Sequence, residues 1–416
     1  MFPYVGKYFW EKITYLTIHA IVIILFFLYF YNVKFSFSPF TSRQLLTLIG
    51  FLLIPFIKIN KKYNYLITLM FLLLLFTGIS VFSSYINFSS FITLFLKLPI
   101  SFLTNLLACI FLIFIYNSRI YDHKNIIKVI LLAILLHNIL SLLMYQSNFI
   151  KDLIYSIVDT NINEGREDLL KSEKRFLGIG EGSFFGGAVI NSIGLILNSY
   201  IILSTKGKKR IIWSFIWIFL LFSGFLIART TLIGGIIGGV FLFNSINRIS
   251  SKIAYLIISI IVILVSFYVL MNFFPNELRF WALEFYYRYK YLGKIETAST
   301  NALTNMYIFP NQFSTLIIGD GKLTDPNGSY YMGTDVGWLR ILFATGLIGV
   351  FAYLSFFWYF HRILAYHFRD YYLKKNFLFL FILFFALNLK GFTSFIPYIM
   401  PFFAYILIKF KHPIAI

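Results

Sequence analysis

The feature that most constrains this chain is a succession of apolar runs, each close in length to a helix that crosses a lipid bilayer. A transmembrane helix needs about 20 predominantly apolar residues, and about twelve such runs follow one another along the 416 residues. They lie near residues 13–31, 43–57, 63–83, 99–116, 126–145, 183–204, 211–228, 230–246, 253–274, 337–360, 377–389 and 395–408. Charged residues make up only 12% of the sequence, against about 25% in soluble domains. We therefore predict an all-α polytopic membrane protein with about 12 transmembrane helices, forming a single integral membrane domain over residues 1–416.

The net charge of +20 is distributed unevenly between the two sides of this predicted membrane domain. With the N-terminus inside, the inner segments carry more than half of the 36 Lys and Arg residues. The same segments carry only three of the 16 acidic residues, Glu11, Asp122 and Asp370. Short cytoplasmic loops are typically rich in Lys and Arg. We therefore expect a multi-pass protein of the cytoplasmic (inner) membrane with both termini in the cytoplasm, in contact with membrane lipids. Because the basic excess follows topology, it does not indicate a nucleic-acid partner.

Two hydrophilic segments on the outer side are much longer than the other connections, residues 146–182 and 274–336. Long loops in a compact protein are usually functional. The second opens with "PNELRFWALEFYYRYKYLGK" at 275–294, which predicts one helix lying along the membrane interface. Its apolar face would present Leu278, Trp281, Phe285, Tyr289 and Leu292.

The two long loops lack the residue patterns of metal and nucleotide sites. Asp320 and Asp325 weakly resemble a calcium loop, but the twelfth position counted from Asp320 is Tyr331, where such loops need a bidentate Glu. "GIGEG" at 178–182 lacks the Lys-Ser/Thr of a P-loop. None of the six histidines lies in either loop, so a zinc site or a histidine base is not expected there. We expect no metal and no cofactor.

Arginine is the residue that the outer segments offer for binding an anion. Arg229 lies in "FSGFLIARTTLIGGIIGG", where barely three polar residues join two apolar runs. Because a tight hairpin needs no charge, we interpret Arg229 as functional. A guanidinium stays charged and can bind pyrophosphate oxygens in pairs. The other arginine candidates on this side are Arg175, Arg279, Arg288 and Arg340.

Structural explanations compete with a functional role for several of these arginines. Arg175 follows other charged residues in a hydrophilic stretch and would then simply be solvated. Arg288 comes four residues after Glu284, a favourable spacing for an ion pair on one helix. Arg279 and Arg288 would alternatively contact lipid head groups.

Asp335 and Arg340 stand at the start of the apolar run 337–360, in "TDVGWLRILFATGLIGVFAYL". A charge next to hydrocarbon is costly and usually has a partner or a function. Two simpler readings stay open here. Asp335 would cap the following helix, with Thr334 as a competing cap, and Arg340 would snorkel to the interface.

The order of these features resembles the O-antigen polymerase (Wzy) and O-antigen ligase family. The resemblance covers roughly residues 175–355: an arginine ending one outer loop, an arginine at a hairpin, and a large late loop closed by the motif at 334–354. In the first of their two catalytic loops, polymerases carry an arginine followed eleven positions later by glycine, a spacing that Arg175 and Gly186 reproduce. The corresponding spacing in the second loop is longer, and neither Arg279 nor Arg288 reproduces it. Ligases usually carry a histidine in the late loop. This chain has none there, which favours the polymerase branch.

The resemblance implies a GT-C-like glycosyltransferase acting at the outer face of the membrane. It would extend undecaprenyl-pyrophosphate-linked oligosaccharide repeat units into a surface polysaccharide. Our hypothesis takes Asp335 and Arg229 as the catalytic residues, with Asp335 orienting or deprotonating the acceptor hydroxyl because it stands beside a helix mouth. The implied substrate-binding residues are Arg175, Arg279, Arg288, Arg340 and Gly186, with Trp281, Tyr286, Tyr287, Tyr330 and Tyr331 to stack on sugars. A chain-length regulator and a flippase are the implied protein partners. The alternatives are a flippase or transporter of lipid-linked oligosaccharides, or an O-antigen ligase.

Overall fold

The computed structural model describes residues 3–57, 64–89, 97–117, 123–159 and 174–408. Residues 160–173, in the first long loop, lie outside this part. Within the described ranges the chain forms helices and loops, with isolated β-bridges and no β-strand. In chain order the helices are α1 (Pro3–Tyr31), α2 (Ser42–Leu53), α3 (Asn64–Ile86), α4 (Lys97–Asn117), α5 (His123–Gln146), α6 (Asn148–Ile157), α7 (Phe184–Ser204), α8 (Lys208–Ile227), α9 (Thr231–Ser245), α10 (Ile249–Phe273), α11 (Asn276–Ala282), α12 (Glu284–Leu292), α13 (Ala298–Asn305), α14 (Phe313–Ile317), α15 (Gly337–His367), α16 (Tyr371–Asn388) and α17 (Ile396–Leu407).

Eight of the described helices are long and apolar enough to cross a bilayer, namely α3, α4, α5, α7, α8, α10, α15 and α16. Four shorter apolar helices accompany them, at Leu16–Tyr31, Ser42–Phe56, Thr231–Ser245 and Ile396–Leu407. Each predicted apolar run therefore coincides with a helix. Because hydrocarbon offers no partner for backbone N–H and C=O groups, helices are the expected form of such runs. The protein is a multi-pass, all-helical membrane protein.

Helix α7 forms the centre of the bundle, where it packs against α5, α8, α9 and α16. Its buried surface is partly polar. Asn138 of α5 donates a hydrogen bond to Asn191 Oδ1 of α7 at 2.7 Å, and Asn376 of α16 donates to Ile196 O at 2.6 Å. Apolar packing gives helices little advantage over lipid tails, so such interhelical bonds help to hold a membrane bundle together.

Helix α9 approaches α7 closely because it is rich in glycine. A Cβ added at Gly234 would overlap the backbone and side chain of Ser192. Small residues at helix interfaces allow this kind of contact in membranes. The glycines after Arg229 therefore fix the position of the α8–α9 turn relative to α7.

The second long loop does not begin with the single helix that its pattern predicts. Helix α11 ends at Ala282 and α12 begins at Glu284, and Leu283 between them has non-helical angles of φ −104° and ψ 26°. Leu278 is fully buried, and Trp281 is partly buried. The remaining positions of the predicted apolar face, Phe285, Tyr289 and Leu292, are exposed. The apolar face is therefore interrupted at Leu283.

Helix α15 begins at Gly337 as the sequence predicts, but it is broken at Gly346. That residue has φ 65°, and a Cβ there would overlap Ile317 O. The loop after α14 inserts at the break, where Asp320 N–H donates to Phe343 O at 2.6 Å and Gly321 N–H donates to Ala344 O at 3.2 Å. The late loop thus satisfies carbonyls that a continuous helix would bond internally.

The described parts of both long loops lie at the same end of the bundle, together with the α8–α9 and α16–α17 turns. Phe176 N–H donates to Leu226 O at the end of α8, which ties the first long loop to that helix. Arg229 pairs with Glu284 of the second loop, and Lys390 of the α16–α17 turn donates to Thr230. We call this end the loop end.

Candidate functional site

Arg229 lies in the turn between α8 and α9, and its side chain is directed toward the second long loop. Its Nη1 donates to Glu284 Oε2 at 2.8 Å and to the Trp281 carbonyl at 3.2 Å. Only 17% of its side chain is exposed. The charge predicted at this hairpin therefore contacts α11 and α12 and does not simply extend into solvent.

Trp281 lies against two guanidinium groups. The Arg175 Cζ atom is 5.1 Å from the indole ring centroid and the Arg229 Cζ atom is 5.2 Å from it. Arg175 also lies 5.2 Å from the Phe184 ring at the start of α7. Each such cation–π contact contributes about 0.5–2 kcal/mol, depending on desolvation. Trp281 therefore brings together arginines from two different loops.

Gly186 lies in the first turn of α7, where the loop that follows Arg175 folds back onto the helix. A Cβ at Gly186 would overlap Glu181 O. The Ser183 hydroxyl donates to Gly178 O at 2.9 Å within the same fold-back. This close approach is a physical reason for glycine at the position and helps to place Arg175, whereas no direct ligand contact is needed to explain it.

Glu284 is the carboxylate on which the second loop is organised. It pairs with Arg229 at 2.8 Å and with Arg288 at 3.3 Å, and it accepts the Ala298 N–H at 2.7 Å. Burial raises the pKa of this carboxyl, but the bonds from Ala298 and Arg229 outweigh it, so its pKa lies below the ordinary value. The ion pair predicted between Glu284 and Arg288 on one helix is confirmed, and Arg288 also pairs with Glu296 at 3.3 Å.

Asp335 and Arg340 meet at the start of α15, with 3.6 Å between Oδ1 and Nη1. The Arg340 guanidinium also lies 4.5 Å from the Tyr330 ring centroid. The carboxylate is the more exposed partner, at 39% of its side chain against 16% for the arginine. Thr334 Oγ1 accepts the Val336 N–H at 3.3 Å. Arg340 therefore has a carboxylate and an aromatic partner within the protein instead of only a lipid surface.

Lys390 is a site residue that the sequence analysis did not select. It lies in the turn between α16 and α17, and its Nζ donates to Thr230 Oγ1 at 2.6 Å, next to Arg229. Burial lowers the pKa of Lys390, repulsion from Arg229 and Arg175 lowers it further, and attraction to Asp335 offsets part of the effect. Lys390 is thus close to the arginine pair and to Asp335 at once. A lone charge in a short gap between two apolar runs, the feature that singled out Arg229, was the available signal.

Arg279 does not share these contacts. Its Nη1 donates to Met271 O at 2.7 Å, in the last turn of α10, and its Nη2 contacts Asn276 Oδ1. A basic side chain that bonds the last carbonyls of a helix stabilises the helix end. The described contacts of Arg279 therefore fasten α10 to α11.

The structure thus brings together Arg175, Arg229 and Trp281 and connects Arg288 to them through Glu284. Lys390 interacts electrostatically with Arg229, Arg175 and Asp335. Among the residues that the structure describes, this cluster holds five cations and three carboxylates. The cations are Arg175, Arg229, Arg288, Arg340 and Lys390, and the carboxylates are Glu284, Glu296 and Asp335. An excess of partly buried positive charge favours an anionic ligand. In the part of the chain that the structure describes, no three His, Cys, Asp or Glu side chains are grouped to hold a metal ion.

Comparison with known proteins returns no relative: no family model, no characterised protein and no solved structure matches this chain.

Proposed function

We propose that this protein polymerises undecaprenyl-pyrophosphate-linked oligosaccharide repeat units by glycosyl transfer at the outer face of the cytoplasmic membrane. The observation that carries the proposal is the convergence of Arg175, Arg229 and Lys390 beside the Asp335–Arg340 pair at the loop end. A lipid-linked pyrophosphate is an anion at a membrane surface, and such a cluster suits it in charge and in chemistry. The resemblance of residues 175–355 to O-antigen polymerases points to the same reaction.

The proposed membrane arrangement follows the distribution of charge. All four shorter apolar helices cross the membrane together with the eight long ones, giving twelve spans with both termini in the cytoplasm. The loop end then faces outward. The resulting architecture is of the GT-C kind, with the reaction at the boundary between lipid and water and with membrane lipids around the spans.

The proposed reaction joins two lipid-linked saccharides. A hydroxyl of the acceptor repeat unit attacks the anomeric carbon of the donor chain, and the bond from that carbon to the phosphate oxygen breaks. Undecaprenyl pyrophosphate leaves with the bonding electron pair. Asp335 takes the hydroxyl proton, for which a positioned base contributes about 10²–10⁴-fold in rate.

The cations have an electrostatic role in this reaction. Negative charge grows on the pyrophosphate as it departs, and preorganised donors stabilise such charge most effectively where water is partly excluded. Arg229 and Arg175 bind the donor pyrophosphate, and Arg340 orients Asp335. In this scheme Arg288 holds the acceptor head group, and Trp281 and Tyr330 border the saccharide, whereas Arg279 fastens α10 to α11. The reaction so written uses no metal and no cofactor.

Single substitutions in cells that carry this gene test the proposal through the length of their polysaccharide chains on a gel. Asp335→Asn and Arg229→Ala should reduce the product to single repeat units while the abundance of the membrane protein stays unchanged. Asp152→Asn, on the exposed side of α6, is the matched control and should give the normal ladder. Normal ladders from both site variants would contradict the proposed chemistry. A separate flippase and a chain-length regulator are the proposed protein partners. Their absence would alter the supply of lipid-linked repeat units or the distribution of polysaccharide chain lengths, but not the bond that is formed.

A further inference from the structure

Lys390 stands on a rigid turn. Asn388 and Thr393 close this turn with two reciprocal hydrogen bonds, each of 3.1 Å, one from the Asn388 amide to Thr393 O and one from Thr393 N–H to Asn388 Oδ1. The Tyr307 hydroxyl donates to Leu389 O, and Gly391 lies against the Phe185 ring of α7. Because its backbone is fixed on several sides, the lysine is placed by the fold.

The same turn touches the elements that carry the rest of the site. Gly337, the first residue of α15, packs so closely on it that a Cβ there would overlap Asn388 Oδ1. The Phe392 ring lies 5.7 Å from the Arg340 guanidinium. The turn thus connects the start of α15 with the α8–α9 turn, where Lys390 bonds Thr230.

Among the described residues Lys390 forms no ion pair, in contrast to Arg229 and Arg340. Arg229 has the Glu284 carboxylate at 2.8 Å and Arg340 has Asp335 at 3.6 Å. Lys390 donates to a threonine hydroxyl, which carries no charge, while two arginines repel it and Asp335 compensates only in part. Holding an ammonium among like charges in a partly buried site is unfavourable unless an anion neutralises it.

We propose that Lys390 is the third cation of a pyrophosphate-binding site that it forms with Arg175 and Arg229. The proposal deepens the function proposed above and rests on it for the source of the anion. The two arginines supply planar, paired donors, and the lysine supplies a compact point charge with three donors. Three cations from three separate loops suit an anion with two linked phosphates better than a single phosphate. An anion bound to Lys390 would lie near a cation that feels the charges of both arginines and of Asp335, which suits a leaving group next to a base.

The test measures binding of inorganic pyrophosphate to the purified full-length protein in phosphatidylcholine nanodiscs by calorimetry. Lys390→Met should weaken binding about tenfold or more, the effect of losing one charge-assisted hydrogen bond. Lys390→Arg, which keeps the charge, should retain most of the affinity. Lys294→Met removes an exposed lysine at the same end of the molecule and should leave binding unchanged.

Two further arms keep the result interpretable. Thr230→Val removes the hydroxyl that holds Lys390 at nearly constant volume, and it should weaken pyrophosphate binding severalfold even where Lys390→Met fails to fold. Equal affinity in the folded Lys390 and Thr230 variants and the natural protein would overturn the proposal. So would complete loss of pyrophosphate binding on adding phosphatidylglycerol, because the site would then be one for phospholipid head groups. The protein could bind pyrophosphate through Lys390 and yet extend no lipid-linked chains. That result would support this inference and contradict the polymerase proposal.

Discussion

The Arg229 guanidinium and the Glu284 carboxylate pair at 2.8 Å across 55 positions of sequence. One comes from a tight turn between two bundle helices and the other from the first residue of α12. The pair holds the second long loop against the end of α8, and the Trp281 ring contacts the guanidinium groups of both Arg229 and Arg175. It therefore determines where the most aromatic part of that loop lies.

Glu284→Gln should destabilise this end of the protein. The amide keeps the shape of the side chain but removes the charge that Arg229 and Arg288 share. We expect a loss of about 1–3 kcal/mol in the free energy of unfolding, typical of a lost hydrogen bond to a charged group. Thermal unfolding in detergent, followed by tryptophan fluorescence, measures it. Glu277→Gln, at an exposed position of α11, should change stability little, and equal effects of the two substitutions would argue against a specific role for the pair.

The same pair has a signature in acid. The pKa of Glu284 is lower in the folded protein than the ordinary value of 4.5, so the unfolded chain binds the proton more tightly. The stability that this carboxylate contributes is therefore fully present above about pH 4.5 and is lost as the pH falls through its folded pKa. The melting temperature of the natural protein should fall more steeply below about pH 4.5 than that of Glu284→Gln. Parallel profiles would contradict this assignment.

Gly346→Ala should destabilise the protein through the break in α15. The position combines φ 65° with close contact to Ile317 O, so a methyl group meets both backbone strain and a carbonyl. Gly328→Ala is the matched control, because Gly328 has φ 83° but no atom near the added Cβ. We expect a cost of about 1 kcal/mol at Gly328, from the left-handed conformation alone, and clearly more at Gly346. Chemical denaturation of the two variants compares them, and an equal loss would show that the contact with α14 is unimportant.

Lys390 should make pyrophosphate binding sensitive to alkaline pH. Burial, then Arg229 and Arg175, hold its pKa below the ordinary value of 10.5, with partial compensation from Asp335. Affinity should therefore fall as the pH rises through that lowered pKa, because only the ammonium form attracts the anion. The stability of the unliganded protein should change in the opposite direction, since the unfolded chain binds this proton more tightly and deprotonation relieves repulsion in the fold. Lys390→Arg should flatten both profiles, and calorimetry with parallel melting curves measures them.

The sequence predicts the helices because hydrophobic runs of the right length have one favourable structure in a bilayer. It also selects Arg229, Arg175, Asp335 and Arg340, since charges beside hydrocarbon are rare enough to stand out. The break at Leu283 is not visible in the sequence, because the apolar spacing of 275–294 continues across it.

Two other features depend on long-range contacts in the same way. Gly346 is one of many glycines, and its positive φ becomes meaningful only where Ile317 O, at the end of α14, lies against the site of a Cβ. Lys390 becomes part of the site only because α16 and α17 bring their turn next to Thr230, 160 positions away in sequence. Sequence patterns therefore could not predict which residues of distant loops contact one another.

The most direct test of the central proposal supplies the purified protein, in nanodiscs, with one synthetic undecaprenyl-pyrophosphate-linked repeat unit and follows the products by mass spectrometry. The natural protein should yield lipid-linked chains of two and more repeats, releasing one undecaprenyl pyrophosphate for each bond formed. Asp335→Asn should slow the reaction by about 10²–10⁴-fold. Recovery of only the single repeat unit, from a folded protein that binds it, would contradict the proposed function. Equal rates for the natural protein and Asp335→Asn would contradict the assignment of Asp335 as the base.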